Sequence, residues 1–260
     1  MNSWKTLKNG KTPVFKNPVL LEGLPGIGNV GKVAVDFLVD ELSAKKIATF
    51  TSNSLPNSVF VNEKNLVEMP VIELYHKKGK NQDILFLVGD VQPIDEPSCF
   101  MFCKEVLNVF GQYGGKEIIT LGGIGLQDIP KTPKIYCTGN SKKIITKFKD
   151  GTKLSDKLYG VVGPIVGVSG LLTGMAKEKK IDAICLLAET YGHPMYLGVK
   201  GAREILKIIT KKLGLQISLA ELEKEIEEIE LSGINKQAET AVKGQAGVIQ
   251  KGMQEQNYIG

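Results

Sequence analysis

Leu20-Leu-Glu-Gly-Leu-Pro-Gly-Ile-Gly-Asn-Val-Gly-Lys-Val-Ala-Val35 is the stretch on which the reading of this chain turns. A short apolar strand runs into a glycine-rich turn, and a helix follows. That helix carries Val30, Val33, Ala34, Phe37 and Leu38 on one face at helical spacing. Gly26, Gly28 and Gly31 fit G-x-G-x-x-G, and Gly26 through Lys32 fit G-x-x-x-x-G-K. Each pattern fails at the residue that does its chemistry. A P-loop needs Ser or Thr after the lysine to ligate Mg²⁺, and Val33 stands there. A dinucleotide site needs an acid about 20 positions on for the ribose, and no Asp or Glu occurs between Leu42 and Asn62. The favoured reading is a tight strand-to-helix turn, in which glycines admit positive φ and close helix–sheet packing. A nucleotide-binding enzyme using Gly26–Lys32 is the alternative. Asp83-Ile-Leu-Phe-Leu-Val-Gly-Asp90, an apolar strand ending in aspartate, speaks for it.

Working outward, strands and helices alternate over most of the 260 residues. Strands are expected at Val14–Glu22, Lys46–Ser52, Val59–Val61, Val71–Lys77, Ile84–Val88, Glu117–Leu121, Lys134–Cys137, Gly160–Val162 and Ala183–Ala188. Helices are expected at Val30–Ala44, Glu96–Gln112, Ser141–Phe148, Val166–Lys179 and Gly198–Leu213. Several strands are continuously apolar, as strands buried on both faces must be. The alternation predicts an α/β chain, a three-layer α/β/α domain with a mostly parallel sheet. The short strands between Ser52 and Tyr75 read as a hairpin or an antiparallel extension. In such sheets ligand crevices lie at the carboxyl ends of strands. That singles out the loops Gly23–Gly28, Gly89–Glu96, Gly122–Asp128 and Glu189–Pro194, with Asp90, Asp95, Glu189 and His193 as the positions where chemistry could sit. Each has a structural reading too: Asp95 as a helix cap, His193-Pro194 as a turn. A phosphorylase or hydrolase built on Glu189 lacks a visible acid/base partner, and His76 precedes a lysine-rich turn.

Composition is that of an ordinary globular domain, with net charge +5 and 7% aromatics. The lysine clusters are not interleaved with stacking aromatics, so no nucleic-acid partner is expected. Cys99, Cys103, Cys137 and Cys185 form no C-x-x-C and have no nearby histidine pair; no metal and no cofactor are expected, and most of them read as small core residues. The run Tyr159–Ala176 is uncharged, but its glycines and Pro164 argue for a buried helix over a membrane span. The beginning of the sequence shows no apolar signal region, so a cytoplasmic protein is expected.

The domain is expected to occupy 1–217, followed by an acidic amphipathic helix over 218–231 and an arm over 232–260. Ser218 and Glu221 have capping-box spacing. Leu219, Leu222, Ile226 and Ile229 form one apolar stripe, which can pack on the domain or on another subunit. The arm is polar and small, a helix of low stability or a flexible segment. It ends Asn257-Tyr258-Ile259-Gly260, which reads either as a tethered peptide ligand or as a frayed tail.

Four segments together resemble the archaeal branch of the proteasome assembly chaperone (PAC2) family. They are Leu21-Glu-Gly-Leu-Pro-Gly-Ile-Gly-Asn-Val-Gly31, Thr120-Leu-Gly-Gly-Ile-Gly125, Gly163-Pro-Ile-Val-Gly-Val-Ser-Gly-Leu-Leu172 and Ala188-Glu-Thr-Tyr-Gly192. The resemblance runs from about Pro18 to Leu231. It implies an α/β/α core similar to nucleoside phosphorylases and hydrolases but without their catalytic machinery, so no enzyme. It implies homo-oligomers that help assemble the proteasome core particle without ATP; whether a paralogous chaperone joins them is left open by the sequence. It implies docking of a C-terminal hydrophobic–Tyr–any-residue tail onto proteasome α subunits, which transfers here to Asn257, Tyr258, Ile259 and Gly260. This chain departs from that tail pattern: Tyr258 is third from the end, and Asn257 before it is polar.

Overall fold

The glycine-rich turn lies at the middle of an eight-stranded sheet in the computed structural model, which describes residues 4–160, 163–194 and 196–232. The strand order is β1 (Lys5–Lys8), β3 (Lys45–Thr51), β6 (Ile72–Lys77), β7 (Ile84–Gly89), β2 (Val19–Gly23), β8 (Glu117–Leu126), β10 (Asp182–Tyr191) and β9 (Ile135–Gly139). The central strands β7, β2, β8 and β10 run parallel. Antiparallel strands close both flanks. β4 (Phe60–Val61) and β5 (Val67–Glu68) form a separate hairpin within the expected antiparallel extension.

Side chains alternate along the strands and so build two cores. Val19 and Leu21 of β2 face α1 (Val30–Glu41), α3 (Lys142–Lys149) and α5 (Val199–Leu213), while Leu20 faces α2 (Glu96–Gln112) and α4 (Val168–Met175). β2 and β7 are buried throughout, which explains the unbroken apolar sequence of β7 and that of β2 up to Glu22. Asp95 caps α2, accepting from the Ser98 N–H at 2.7 Å, and Ser141 caps α3 through the Ile144 N–H at 3.3 Å.

Differences from expectation have local causes. β2 begins only at Val19, because Asn17 takes a left-handed φ of 44° and breaks the extended run from Val14. α1 ends at Glu41, ahead of a left-handed Ser43. α4 is short and tightens into a 3₁₀ turn at Ala176–Lys179. β8 and β10 extend to Leu126 and Tyr191 in continuous register, so much of Gly122–Asp128 and of Glu189–Pro194 is strand rather than loop. Gly160 is a turn residue, and the rest of the expected Gly160–Val162 strand lies outside the described residues. β1 carries no apolar alternation to announce it. It is a lysine-flanked edge strand, a common protection against edge pairing. Trp4 beside it is buried on Phe102.

α6 (Ala220–Ser232) lays Leu222 on the core shared with α1 and α5, with Leu219 beside it and Ile226 also buried. Burying such a side chain contributes about 1.5–3 kcal/mol. The capping box does not form as expected. The Ser218 hydroxyl accepts from the Ala220 N–H at 3.2 Å, and the Ser218 N–H donates to the Glu41 carboxylate at 3.4 Å. The Ile229 side chain and residues 233–260, with Asn257, Tyr258, Ile259 and Gly260, lie outside the described residues.

α1 approaches the sheet through glycine. A Cβ on Gly31 would lie 2.5 Å from the Leu121 carbonyl oxygen, and one on Gly23 would lie 2.3 Å from the Gly31 carbonyl oxygen. Both obstacles are backbone and cannot rotate away. Gly31→Ala is therefore expected to destabilise by about 1–3 kcal/mol, as overpacking does. Gly111→Ala, in the open last turn of α2, should be neutral or stabilise by up to about 1 kcal/mol. Urea midpoints of the two variants test the contrast.

Candidate functional site

The carboxyl ends of β2, β8 and β10 open onto a cleft of about 590 Å³. One wall is the Gly26–Asn29 turn, where Gly28 has φ 61° and packs against the Thr190 side chain. The opposite wall is Pro164–Gly167, with Gly122–Gly125 between them and Gly192–Pro194 at the rim. Gln92 ties the walls together: its amide nitrogen donates to the Pro25 carbonyl, and its oxygen accepts from the Val168 N–H at 2.9 Å. Leu24, Leu121 and Ser169 complete the lining. Among the described residues lining the cleft there is no lysine or arginine.

The sequence candidates are distributed unevenly around this cleft. Lys32 and Asp90 do come together, 3.8 Å apart, but neither lines it. Lys32 donates to the Gly89 carbonyl at 3.1 Å and pairs with Asp36 at 2.8 Å. Asp90 accepts from the Val71 N–H at 3.1 Å. The Asp36 carboxyl is held above its usual range by burial, with the Lys32 hydrogen bond working the other way. These groups form a partly buried ion cluster that locks the end of β7 to α1. A phosphate reaching Lys32 would have to break it.

Glu189 stands within β10, against the expected rim loop. Its carboxylate accepts from the Lys134 N–H at 2.9 Å and from the Tyr136 hydroxyl at 3.2 Å, fastening β9 to β10. Burial, then the Glu189 charge, raises the Tyr136 hydroxyl pKa. His193 does line the cleft, stacked on Tyr191 with ring centroids 5.9 Å apart, and its carbonyl closes a turn with the Tyr196 N–H. His76 lies elsewhere, 3.1 Å from Asp83. All four cysteines are buried free thiols. Among the described residues no cluster has the make-up of a metal site, and no helix is long and apolar enough to cross a membrane.

Sequence reasoning passed over Glu22, Ser169 and Gln92. Glu22 is wholly buried in β2. Its Oε1 accepts from the Leu24 N–H at 3.0 Å and its Oε2 from the Ser169 hydroxyl at 2.9 Å. The polar seam continues: Thr173 donates to the Ser169 carbonyl at 2.8 Å, and its hydroxyl meets that of Thr120 at 2.9 Å. Burial pushes the Glu22 carboxyl up to about 7, with hydrogen bonds from Leu24, Ser169 and Leu121 opposing. The signal was a carboxylate inside an apolar strand. Buried carboxylates are rare unless partnered, so its presence calls for a partner on the facing helix.

The profile of the PAC2 family matches residues 20–238. The chain is 30% identical to Pyrococcus furiosus PbaB, described as an archaeal proteasome activator, over 92% of this chain and 100% of that one, with a TM-score of 0.81. It is 26% identical to Pyrococcus furiosus PbaA, described as an archaeal homolog of proteasome-assembly chaperone, over 94% of this chain and 96% of that one, with a TM-score of 0.73. An uncharacterised protein of Methanocaldococcus jannaschii is 29% identical over 81% of this chain and 79% of its own length.

Because the folded state holds the Glu22 proton more tightly than the unfolded chain, the stability it contributes is complete below pH 4.5. That stability is lost as pH rises through about 7. At 1.36 kcal/mol per pKa unit the loss is about 3 kcal/mol. Glu22→Gln removes this dependence, so its stability relative to the parent should rise between pH 5 and pH 8. Parallel urea-unfolding profiles across that range would contradict the assignment.

Proposed function

The chain belongs to the PAC2 family, and from that premise we propose that it is a proteasome-directed assembly chaperone or activator that works by binding, without nucleotide turnover. The observation that carries the reading is the 30% identity to the proteasome activator PbaB, with a TM-score of 0.81 over 92% of the chain. The engagement of Lys32 with Gly89, Asp36 and Asp90 supports the absence of nucleotide chemistry. We place the protein in the cytoplasm, as a homo-oligomer with the proteasome α subunits as partner and a paralogous chaperone as a candidate companion.

Docking is assigned to Asn257, Tyr258, Ile259 and Gly260. A Tyr ring beside an Ile side chain makes a compact ligand for a pocket between subunits. One such peptide binds weakly, and several on one oligomer gain by effective concentration, about 10²–10⁴-fold where the geometry matches. That regime suits a chaperone, which holds its client and then releases it.

Immobilised full-length chain is expected to retain archaeal proteasome α subunits, and a chain ending at Gln256 to lose them while keeping its circular dichroism spectrum. Equal retention by both chains would remove the tail from the mechanism. Retention by neither would remove the proteasome.

A further inference from the structure

The binding role, assigned to residues 257–260, makes no use of the cleft. Ser169 stands in the first turn of α4, on the cleft lining, and its hydroxyl donates to Glu22 at 2.9 Å with the Leu121 carbonyl 3.4 Å away. Behind it, Glu22 is wholly buried and its second oxygen is fixed by the Leu24 N–H at 3.0 Å. A hydroxyl facing a cavity, a carboxylate in hydrogen-bond reach behind it and a third group orienting that carboxylate are the parts of an activated nucleophile.

The backbone presents the serine. Gly167 enters the helix at φ +87°, and a Cβ on Gly170 would lie 2.1 Å from the Ile165 carbonyl oxygen. The chain therefore turns sharply into α4 and leaves Ser169 on the cleft lining. The N–H groups of Ser169 and Gly170 lie in a first helical turn, where no carbonyl within the helix reaches them. Negative charge developing on an acyl oxygen at Ser169 falls beside this positive helix end.

We propose that Ser169 and Glu22 form an acyl-transfer centre that cleaves small uncharged carboxylic esters. The Ser169 Oγ attacks the ester carbonyl carbon while the Glu22 carboxylate takes its proton. The carbon–oxygen bond to the alcohol then breaks, and Glu22 returns the proton to the departing alkoxide. Water repeats the sequence on the acyl-serine: its proton goes to Glu22, its oxygen joins the acyl carbon, and Ser169 leaves reprotonated. The sum is ester plus water giving acid plus alcohol, with no redox partner. Uncharged substrates follow from the lining, which offers Ile27, Ile124, Ile165 and Leu187, has His193 as its one ionisable side chain among the described residues, and has no lysine or arginine among them. The volume of about 590 Å³ limits their size.

Glu22 works as a base only when ionised, and burial holds its carboxyl near 7. Among the described residues, the thiols of Cys99 and Cys103 from α2 and of Cys185 from β10 lie within reach of its charge. With them stand the hydroxyls of Ser169 and Thr173 from α4 and of Thr120 from β8, beside Leu87 of β7. The rate should therefore rise from pH 6 to pH 8.

The test uses the full chain with a fluorophosphonate probe and with p-nitrophenyl acetate. Expected are a single phosphonyl adduct on Ser169 by peptide mass spectrometry and hydrolysis above buffer. kcat/KM should fall about 10²-fold or more in Ser169→Ala, and the rising pH limb should disappear in Glu22→Gln. The adduct is read on the unaltered protein, so poor folding of a variant does not obscure it. Absence of a Ser169 adduct, or hydrolysis undiminished in folded Ser169→Ala, overturns the proposal.

Discussion

The backbone contact between Gly31 and Leu121 is the constraint on which the rest of this fold depends. A side chain at Gly31 would begin 2.5 Å from the Leu121 carbonyl oxygen, so α1 crosses β8 closer than any other residue would allow. The same proximity is repeated around the turn. A Cβ on Gly123 would lie 2.3 Å from the Ile27 carbonyl oxygen, and the Gly198 N–H donates to the Gly28 carbonyl at 2.7 Å. Through these contacts one turn joins β2, α1, β8, β10 and the start of α5. Backbone obstacles cannot repack, which is why the motif resembles a phosphate loop in spacing while serving as a joint.

This joint also sorts the polar groups. Lys32 points to the ion cluster with Asp36 and Asp90, away from the cleft lining. Glu22 lies on the other side of β2, under α4, with Ser169 and the threonine pair Thr120 and Thr173. Among the described residues the cleft is thus walled mostly by glycine backbone and apolar side chains, with Asn29, Gln92 and His193 as polar members and Glu22 behind the Ser169 hydroxyl. Gln92 holds the two walls at fixed separation through the Pro25 carbonyl and the Val168 N–H. Such a site is electrostatically unlike a nucleotide pocket, where cations and amides converge on phosphate.

The layered α/β/α architecture was legible because β7, the centre of β10 and β2 apart from Glu22 read as apolar runs and α1 and α5 as helical periods. Their register was not, since pairing order is set by contacts far apart in sequence. β8 outran its expected end because Gly122, Gly123 and Gly125 look like loop residues, yet they are needed inside the strand where Ile27 and Leu187 approach. β1 was invisible because Lys5–Lys8 has no apolar alternation and gains its place from the β3 edge and from Trp4. In the site, Asp95 was readable as a cap, since that role is local. Glu189 was misplaced and Ser169 passed over, because the partners that define them lie 53 and 147 residues away in the chain.

The central claim is that the Gly26–Lys32 turn is a packing joint and not a phosphate site. Calorimetric titration of the full chain with Mg²⁺ and millimolar ATP tests it most directly. No saturable heat is expected, for the parent and for Lys32→Ala alike. A saturable, Mg²⁺-dependent heat in the parent that disappears in Lys32→Ala would contradict it.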